Sequence, residues 1–455
     1  MNENTFVVEG KRFLVLGGGV SGRAAAAFLR SKGAFVTLAD EKPKDEVAEA
    51  VLALAEKGVS LCLGGMPEQV SDYDFAVISP GIPLTVPVAK ALQAQHIPIL
   101  GELELAYLFS HTPYLAITGT NGKTTTTSLL GYILQQAGIE CIVGGNIGEP
   151  LVTRVEQLSQ EGYIVAEVSS FQLETTNKFC PQVAAYLNLT PDHLNRHGTM
   201  KQYGDIKAKI FQNQGPTDVL VCNYDDPWVR GYAEQAPGQV VFFSRREILP
   251  KGIFLEGPNI VYWENGKKQQ LIAMHDIFIK GGHNMENVMA ASAMALATGI
   301  EKENIAQALR TFPGVAHRQE FVCVKDGVTY INDSKGTNPD STLQALLAYD
   351  QPMVLILGGR DKGGDFRPLL PLIQQKVRQV VLVGEATPIL KQALASVNYS
   401  HWVEAGDDFA KAVTLATAAS QPGDIVMLSP ACASWDMFSS FEARGDLFKQ
   451  LVLGK

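Results

Sequence analysis

One stretch constrains this chain more than any other: Ile117-Thr118-Gly119-Thr120-Asn121-Gly122-Lys123-Thr124-Thr125. An apolar run, Tyr114 to Thr118, leads into it, and a helical stretch from about Thr124 to Ala137 follows. A glycine loop between a strand and a helix aims successive backbone N–H groups, and the positive end of the helix dipole, at one spot. Such a cradle suits triphosphate oxygens. Lys123 is placed to reach the β- and γ-phosphates, and the Thr124 hydroxyl to sit on Mg²⁺. The spacing departs from the common G-x-x-x-x-G-K-[ST] pattern. Position 117, where the first glycine of that pattern would fall, is Ile, and Gly119 comes two residues later.

Strand and helix signals alternate on both sides of this loop, which predicts α/β folds with parallel sheets. At 455 residues, and about 150 residues per domain, the chain divides into roughly three domains. The first has strands at Arg12–Leu16, Phe35–Ala39 and Tyr73–Ser79, with a helix over Arg23–Lys32. The second adds strands at Tyr163–Val168 and Val183–Leu189, and helices over Lys201–Gln212 and His283–Ala297. The third has strands at Thr329–Asn332, Met353–Leu357, Gln379–Val383 and Asp424–Leu428, with a helix over Ser341–Ala348. Pro113 and Phe312-Pro313-Gly314 act as stop signals, so the expected boundaries are 1–112, 113–314 and 315–455. The expected folds are Rossmann-like, a central phosphate-loop ATPase type, and Rossmann-like again.

A formal net charge of -9 argues against a nucleic-acid scaffold. The six cysteines form no C-x-x-C pair, as expected of free thiols in a reducing compartment. Met1 to Glu9 lacks a basic segment followed by an apolar one, and no run of about 18 apolar residues occurs. The expectation is a cytoplasmic protein without membrane insertion.

A second glycine motif, Gly17-x-Gly19-x-x-Gly22, stands between the first strand and helix, with Asp40 closing the next strand. This matches a dinucleotide fingerprint, in which small residues let the backbone approach a diphosphate. An NAD-dependent enzyme is one reading of it. However, only about a hundred residues precede the next phosphate loop, too few for both halves of a full dinucleotide fold. A UDP-sugar also carries a diphosphate. A glycine turn that only packs helix on strand is the third reading.

The Thr118–Thr124 loop resembles that of the Mur ligases and their folylpolyglutamate synthase relatives. The resemblance continues in order through Gly145-Asn146-Ile147-Gly148, Glu167-Val168-Ser169-Ser170-Phe171-Gln172-Leu173-Glu174, Asp192-His193, Gly282-His283-Asn284 with Asn287, and His317-Arg318. It extends to Asn332-Asp333-Ser334-Lys335-Gly336-Thr337-Asn338, Gly358-Gly359-Arg360-Asp361-Lys362-Gly363, Ser429-Pro430-Ala431-Cys432-Ala433-Ser434, and Phe441-Glu442 with Arg444-Gly445. The Ser-Ser-Phe-Gln-Leu-Glu and Ser-Pro-Ala-Cys-Ala-Ser blocks look like those of the D-glutamate-adding members. The Asp-Asn-Pro-Arg block of diaminopimelate- or lysine-adding members is missing, and folylpolyglutamate synthases lack a UDP-binding domain.

The resemblance implies an ATP-dependent ligase with two substrates, UDP-N-acetylmuramoyl-L-alanine and D-glutamate, besides ATP, and with two Mg²⁺ ions. An amide is made uphill in water unless the γ-phosphoryl first moves to the carboxylate, after which the amine displaces phosphate. The implied ATP contacts are Gly119, Thr120, Asn121, Gly122, Lys123, Thr124, Thr125, Asn287, Arg318, Asp333 and Lys335. Asn287 and Asp333 correspond to adenine and ribose contacts, and Arg318 and Lys335 to groups on the phosphate side. The implied metal ligands are Thr124, Glu167, His193 and Lys207, the last as a carbamate. An ammonium cannot ligate Mg²⁺, whereas a carbamate offers anionic oxygens. The residues alone do not choose between Lys207 and Lys209; the match to the family pattern favours Lys207. The catalytic set is Lys123, Lys207, His193, Arg318 and Lys335. Substrate contacts fall on Gly19, Ser21, Asp40 and Asn146 for the UDP-sugar, and on Thr337, Lys362, Ser434 and Phe441 for D-glutamate. After Asp40 the chain reads Glu41-Lys42, where the family pattern has Thr-Arg. The chain is expected to act as a monomer. Two other classes remain: a nucleotide-regulated binding module that makes no amide bond, and a sister ligase for another amino acid.

Overall fold

The computed structural model describes residues 6–264 and 266–454. The opening residues 1–5, part of the stretch read for a leader, lie outside them. Among the described residues no helix is long and apolar enough to cross a membrane.

The first sheet holds β1 (Arg12–Leu16), β2 (Phe35–Asp40), β3 (Ser60–Leu63), β4 (Phe75–Ile78) and β5 (Ile99–Leu100). Its order is β3-β2-β1-β4-β5, and every pairing is parallel. The chain runs outward from β1 to β3 and then returns to β4 on the other side. The strand order therefore switches between β1 and β4, where open α/β sheets leave a ligand crevice. Gly17–Gly22 lies at that switch. A Cβ on Gly22 would collide with the Gly17 carbonyl oxygen, so only glycine lets the helix Val20–Ser31 start this close to β1.

The second sheet comprises β6 (Tyr114–Thr118), β7 (Cys141–Gly145), β8 (Tyr163–Glu167), β9 (Val183–Tyr186), β10 (Val219–Asn223), β11 (Gln239–Ser244), β12 (Ile253–Glu256), β13 (Asn259–Glu264) and β14 (Lys267–Ala273). Its order is β14-β13-β12-β11-β10-β9-β6-β8-β7. All five residues of β6 are buried, as a parallel strand covered on both faces must be. β6 lies between β8 and β9, with Ile117 level with Glu167 and Thr118 level with Tyr186. The carboxyl ends of three parallel strands thus meet at the phosphate loop.

None of the sequence signals used above marks Val219–Ala273, yet it supplies five strands. β10 and β11 continue the parallel sheet, and β12–β14 close as antiparallel hairpins. The helix expected to reach Gln212 ends at Ala208. Beyond it, Ile210, Phe211 and Gln212 donate to carbonyls three residues back, a tighter winding than the α-helix.

The third sheet contains β15 (Glu320–Lys325), β16 (Val328–Asn332), β17 (Met353–Gly358), β18 (Val377–Val383), β19 (Trp402–Gly406) and β20 (Ile425–Leu428), ordered β15-β16-β20-β17-β18-β19. Only the edge strand β15 runs antiparallel. The fold is thus three α/β sheets in two compact units: 1–276 with 286–309, and 277–285 with 310–455.

Gly22→Ala is expected to destabilise the first sheet by about 1–3 kcal/mol, because the obstructing atom is backbone and cannot rotate away. Differential scanning calorimetry should show the first melting transition several degrees lower.

Candidate active site

The loop after β6 is held open by its neighbours. Thr120 N donates to the Asn188 carbonyl (3.0 Å). Asn121 N donates to Asn188 Oδ1 (2.8 Å), and Asn188 Nδ2 returns a bond to the Asn121 carbonyl (3.1 Å). Thr120 Oγ1 donates to the Thr190 carbonyl (3.2 Å) and accepts from Thr190 N (3.1 Å). These bonds fasten the loop to the segment after β9, just before the helix Lys123–Gln136. Gly122 has φ +84° and lies so close to Asn287 that a Cβ would meet Asn287 Oδ1. Asn287 therefore packs against the loop itself, with Thr126 Oγ1 at 3.3 Å. Lys123 Nζ folds over the loop, donating to the Gly119 and Thr120 carbonyls (3.0 and 2.9 Å).

Glu167 is almost wholly buried at the end of β8. Asn146 Nδ2 donates to its Oε1 (2.8 Å), while Oε2 has no hydrogen-bond partner. A buried carboxylate oxygen without a donor is costly unless something cationic meets it. The buried Thr125 Oγ1 is likewise unpartnered. This arrangement fits a hard cation that takes oxygen ligands. Among the described residues no three His, Cys, Asp or Glu side chains gather closely enough to hold a metal. The expected ligands Thr124 and Lys207 are of other types.

Lys207 is the strongest electrostatic feature. It is buried on the helix Met200–Ala208 and donates to the Gly119 carbonyl (2.7 Å), with Thr118 Oγ1 at 3.5 Å. Its ammonium lies 4.8 Å from the Tyr203 ring centre. Burial drives its pKa well below the ordinary lysine value; the Lys123 charge pushes the same way, against Asp192 and Glu167. Lys209 points elsewhere, donating to the Leu173 and Glu174 carbonyls (2.9 and 3.0 Å). The two lysines that the sequence leaves equivalent thus have different surroundings. His193 is exposed, its Nε2 3.4 Å from Asp192 and its ring 4.8 Å from that of Phe171. It adopts a left-handed backbone (φ +52°).

At the first sheet's switch point, Gly19 is exposed and Ser21 half-buried. Asp40 Oδ2 accepts from Gly18 N (2.7 Å) and its Oδ1 from Lys42 N (3.0 Å), so its carboxylate anchors the glycine loop.

The second compact unit carries the remaining residues. The loops after β16, β20 and β17 leave neighbouring parallel strands at the same edge. They bear Asp333, Lys335 and Thr337; Ser434; and Lys362, respectively. Asp333 is buried, accepting from Ser429 Oγ (2.7 Å) and Gln319 N (3.1 Å). Burial raises its pKa from an ordinary 3.8 to about 6, opposed by the Ser429 bond and by Arg318 and Arg444. Arg318 Nε is buried without a partner. Lys335 Nζ lies 5.5 Å from the Phe441 ring centre, and Lys362 Nζ 6.0 Å from that of the exposed Trp435. Ser434 is buried.

Family profiles match three consecutive stretches: a MurD-like N-terminal domain over residues 11–101, a Mur ligase middle domain over 117–295, and a Mur ligase glutamate ligase domain over 317–432. The UDP-N-acetylmuramoylalanine–D-glutamate ligase of Pelotomaculum thermopropionicum is 49% identical, with 97% of each chain covered. That of Desulfitobacterium hafniense is 44% identical at the same coverage. The chain belongs to the Mur ligase family. Among solved structures, UDP-N-acetylmuramate-alanine ligase MurC from Thermotoga maritima shares the fold, with TM-score 0.61, 19% identity, and 98% and 99% coverage of this chain and that one. MurF from Acinetobacter baumannii gives 0.60, 20%, and 98% and 92%.

Two residues of this Mur ligase escape sequence reasoning as site builders. Asn188 is one more residue after a strand until its loop contacts are seen. Arg444, quoted only as part of a motif, is wholly buried. It donates to Ser334 Oγ (3.0 Å) and to the carbonyls of Ser334 (2.9 Å), Cys432 (3.2 Å) and Ala433 (3.3 Å), pinning the loops after β16 and β20 together. Burial lowers its pKa to about 10, so it stays charged at neutral pH.

Arg444→Met should strand these acceptors and destabilise the second unit by about 3–5 kcal/mol, read from urea unfolding. Asp333 gives a pH test. Its folded pKa is raised, so its favourable contribution is complete below 3.8 and lost as pH rises through about 6. Asp333→Asn removes this dependence. The stability of the variant minus that of the wild type should climb between pH 4 and 6 and level off above, measured by urea midpoints.

Proposed function

We propose that this chain is the ATP-dependent ligase that joins D-glutamate to UDP-N-acetylmuramoyl-L-alanine in peptidoglycan precursor synthesis. The observation that carries this is end-to-end 49% identity to a ligase of that name, in a chain whose phosphate loop is built as described. The substrate carboxylate attacks the γ-phosphorus of ATP, ADP leaves, and an acyl phosphate forms. The amine of D-glutamate then attacks the acyl carbon, phosphate departs, and the amine loses a proton.

In this reading Lys123 and the loop residues Gly119–Thr125 hold the β- and γ-phosphates at the start of the helix Lys123–Gln136, preorganised for the charge that develops in transfer. Mg²⁺, when bound, neutralises phosphate charge; in this reading there are two ions, held by Thr124, Glu167, His193 and Lys207. The unpartnered Glu167 Oε2 supports its share in this. The depressed pKa of Lys207 supports carbamylation, since only the neutral amine attacks CO₂, forming the C–N bond and releasing one proton. Arg318 and Lys335 serve the phosphates, Asn287 and Asp333 the nucleoside, Thr337, Lys362, Ser434 and Phe441 the D-glutamate, and Gly19, Ser21, Asp40 and Asn146 the UDP-sugar. The assigned domains are 1–112, 113–314 and 315–455, in keeping with the three sheets. In this reading the chain acts as a monomer. Six free thiols suit a reducing, cytoplasmic setting.

The test is phosphate release from ATP and Mg²⁺ with UDP-N-acetylmuramoyl-L-alanine against a panel of amino acids, with product mass as the second readout. D-glutamate alone should sustain turnover. Turnover with another amino acid would leave the family and remove the assigned pocket; no turnover with any would remove the ligase reading. Lys207→Arg should lose on the order of a hundredfold or more in kcat. It should also lose a carbamate carbon signal seen in the wild type under ¹³C-labelled CO₂.

A further inference from the structure

Arg196 lies three residues past His193 on the short helix Leu194–His197. Nothing in its sequence surroundings separates it from a surface arginine. In the fold its guanidinium joins two sheets. Nε and Nη2 fork onto Glu174 Oε1 and Oε2 (2.9 and 2.6 Å). Nη1 donates to the Pro80 carbonyl (2.9 Å), with the Gly81 carbonyl at 3.4 Å, and Nη2 reaches the Ile82 carbonyl (3.3 Å). The cation sits 4.3 Å from the Phe171 ring centre. The Arg196 and Glu174 side chains are only 14% and 12% exposed, so solvent screens the pair weakly.

Both ends of this tie are ligand edges. Pro80–Ile82 follow β4 at the switch point, where Ser79 Oγ donates to the Gly17 carbonyl (3.2 Å) beside the glycine loop. Glu174 caps the helix Ser170–Leu173, which starts three residues after Glu167. From there the contacts run on. His197 Nδ1 is 3.7 Å from Glu174 Oε1, and its Nε2 is 3.0 Å from Ser170 Oγ. Its ring stacks on Tyr203 at 5.1 Å. Tyr203 in turn has its hydroxyl 3.5 Å from Thr120 Oγ1 and its ring beneath Lys207.

We propose that Arg196 is a positioning residue that sets the span between the sugar-nucleotide loop of the first sheet and the phosphate loop of the second, with Glu174 and His197 holding it in register. This rests on the ligase reading. A UDP-sugar held by its diphosphate at one edge must present its far carboxylate to ATP at the other. An error of about 1 Å at the reacting atoms costs on the order of a hundredfold in rate. Three carbonyls from one loop and a carboxylate from the other sheet fix that distance through one planar, five-donor group. A lysine, as a point charge, cannot reproduce the fork.

The test compares wild type, Arg196→Lys, Glu174→Gln and the double variant. Arg196→Lys should fold, lower kcat and raise the KM for the sugar nucleotide by about tenfold each, the scale of a lost charge-assisted hydrogen bond. The KM for ATP should stay within twofold. Glu174→Gln should act in the same direction, and the double variant should be no worse than Arg196→Lys alone, as for partners in one network. A second readout needs no turnover: spin labels carried by non-natural side chains at exposed Lys57 and Glu234. Their distance distribution should be narrow in the wild type and broadened in Arg196→Lys. An unchanged distribution, or kinetic constants within twofold of wild type, would overturn the proposal. If the wild type itself makes no amide bond, the ligase reading fails, while the distance measurement still decides whether Arg196 sets the span.

Discussion

The central sheet depends on one constraint: a glycine loop must keep one fixed shape at the start of a helix, where the helix dipole favours an anion. Amides in a loop readily find other acceptors, and a free loop would collapse onto itself. Asn188 and Thr190 prevent this by taking up the Thr120 and Asn121 amides and the Thr120 hydroxyl, while Gly122 lets the chain turn into the helix against Asn287. The parallel pairing of β8, β6 and β9 then delivers Glu167 and Asn188 beside the loop without further design.

The electrostatics around that loop follow from burial. Lys207 is held where water cannot stabilise its charge, next to a second lysine. The same site holds a carboxylate oxygen that no protein donor meets. Each feature is unfavourable alone. Together they describe a site whose charges are completed by what binds there, since buried charges are tolerated only when paired.

The second unit solves a related problem with a cation in place of amides. Three loops leave adjacent strands and must keep fixed relative positions, although none contains regular structure. Arg444 supplies rigidity to the loops after β16 and β20 from within, and backbone bonds between Arg360 and Ala433 join the loop after β17 to that after β20. The opposite sign of charge, Asp333, is buried nearby and held by Ser429.

The sequence by itself determined the α/β class, the two glycine loops and most central parallel strands. These depend on local signals: apolar runs of strand length, and glycines at turns that no other residue can make. β6 was legible to the residue, because a strand buried on both faces is apolar throughout. In Val219–Ala273 the interior parallel strands β10 and β11 carry apolar runs as readable as that of β6, whereas the antiparallel pairing of β12–β14 depends on contacts between strands that no local signal sets. The ordered motifs located the candidate ligand residues, but not their surroundings. Whether Lys207 or Lys209 faces the phosphate loop depends on how a helix rotates against a sheet. That Arg196 and Arg444 organise loops far away in sequence depends on which backbone carbonyls the fold brings within reach. Those are distances between segments separated by roughly a hundred residues. Only the tertiary structure decides them, because hydrogen bonds act over a few ångströms in space and are blind to position along the chain.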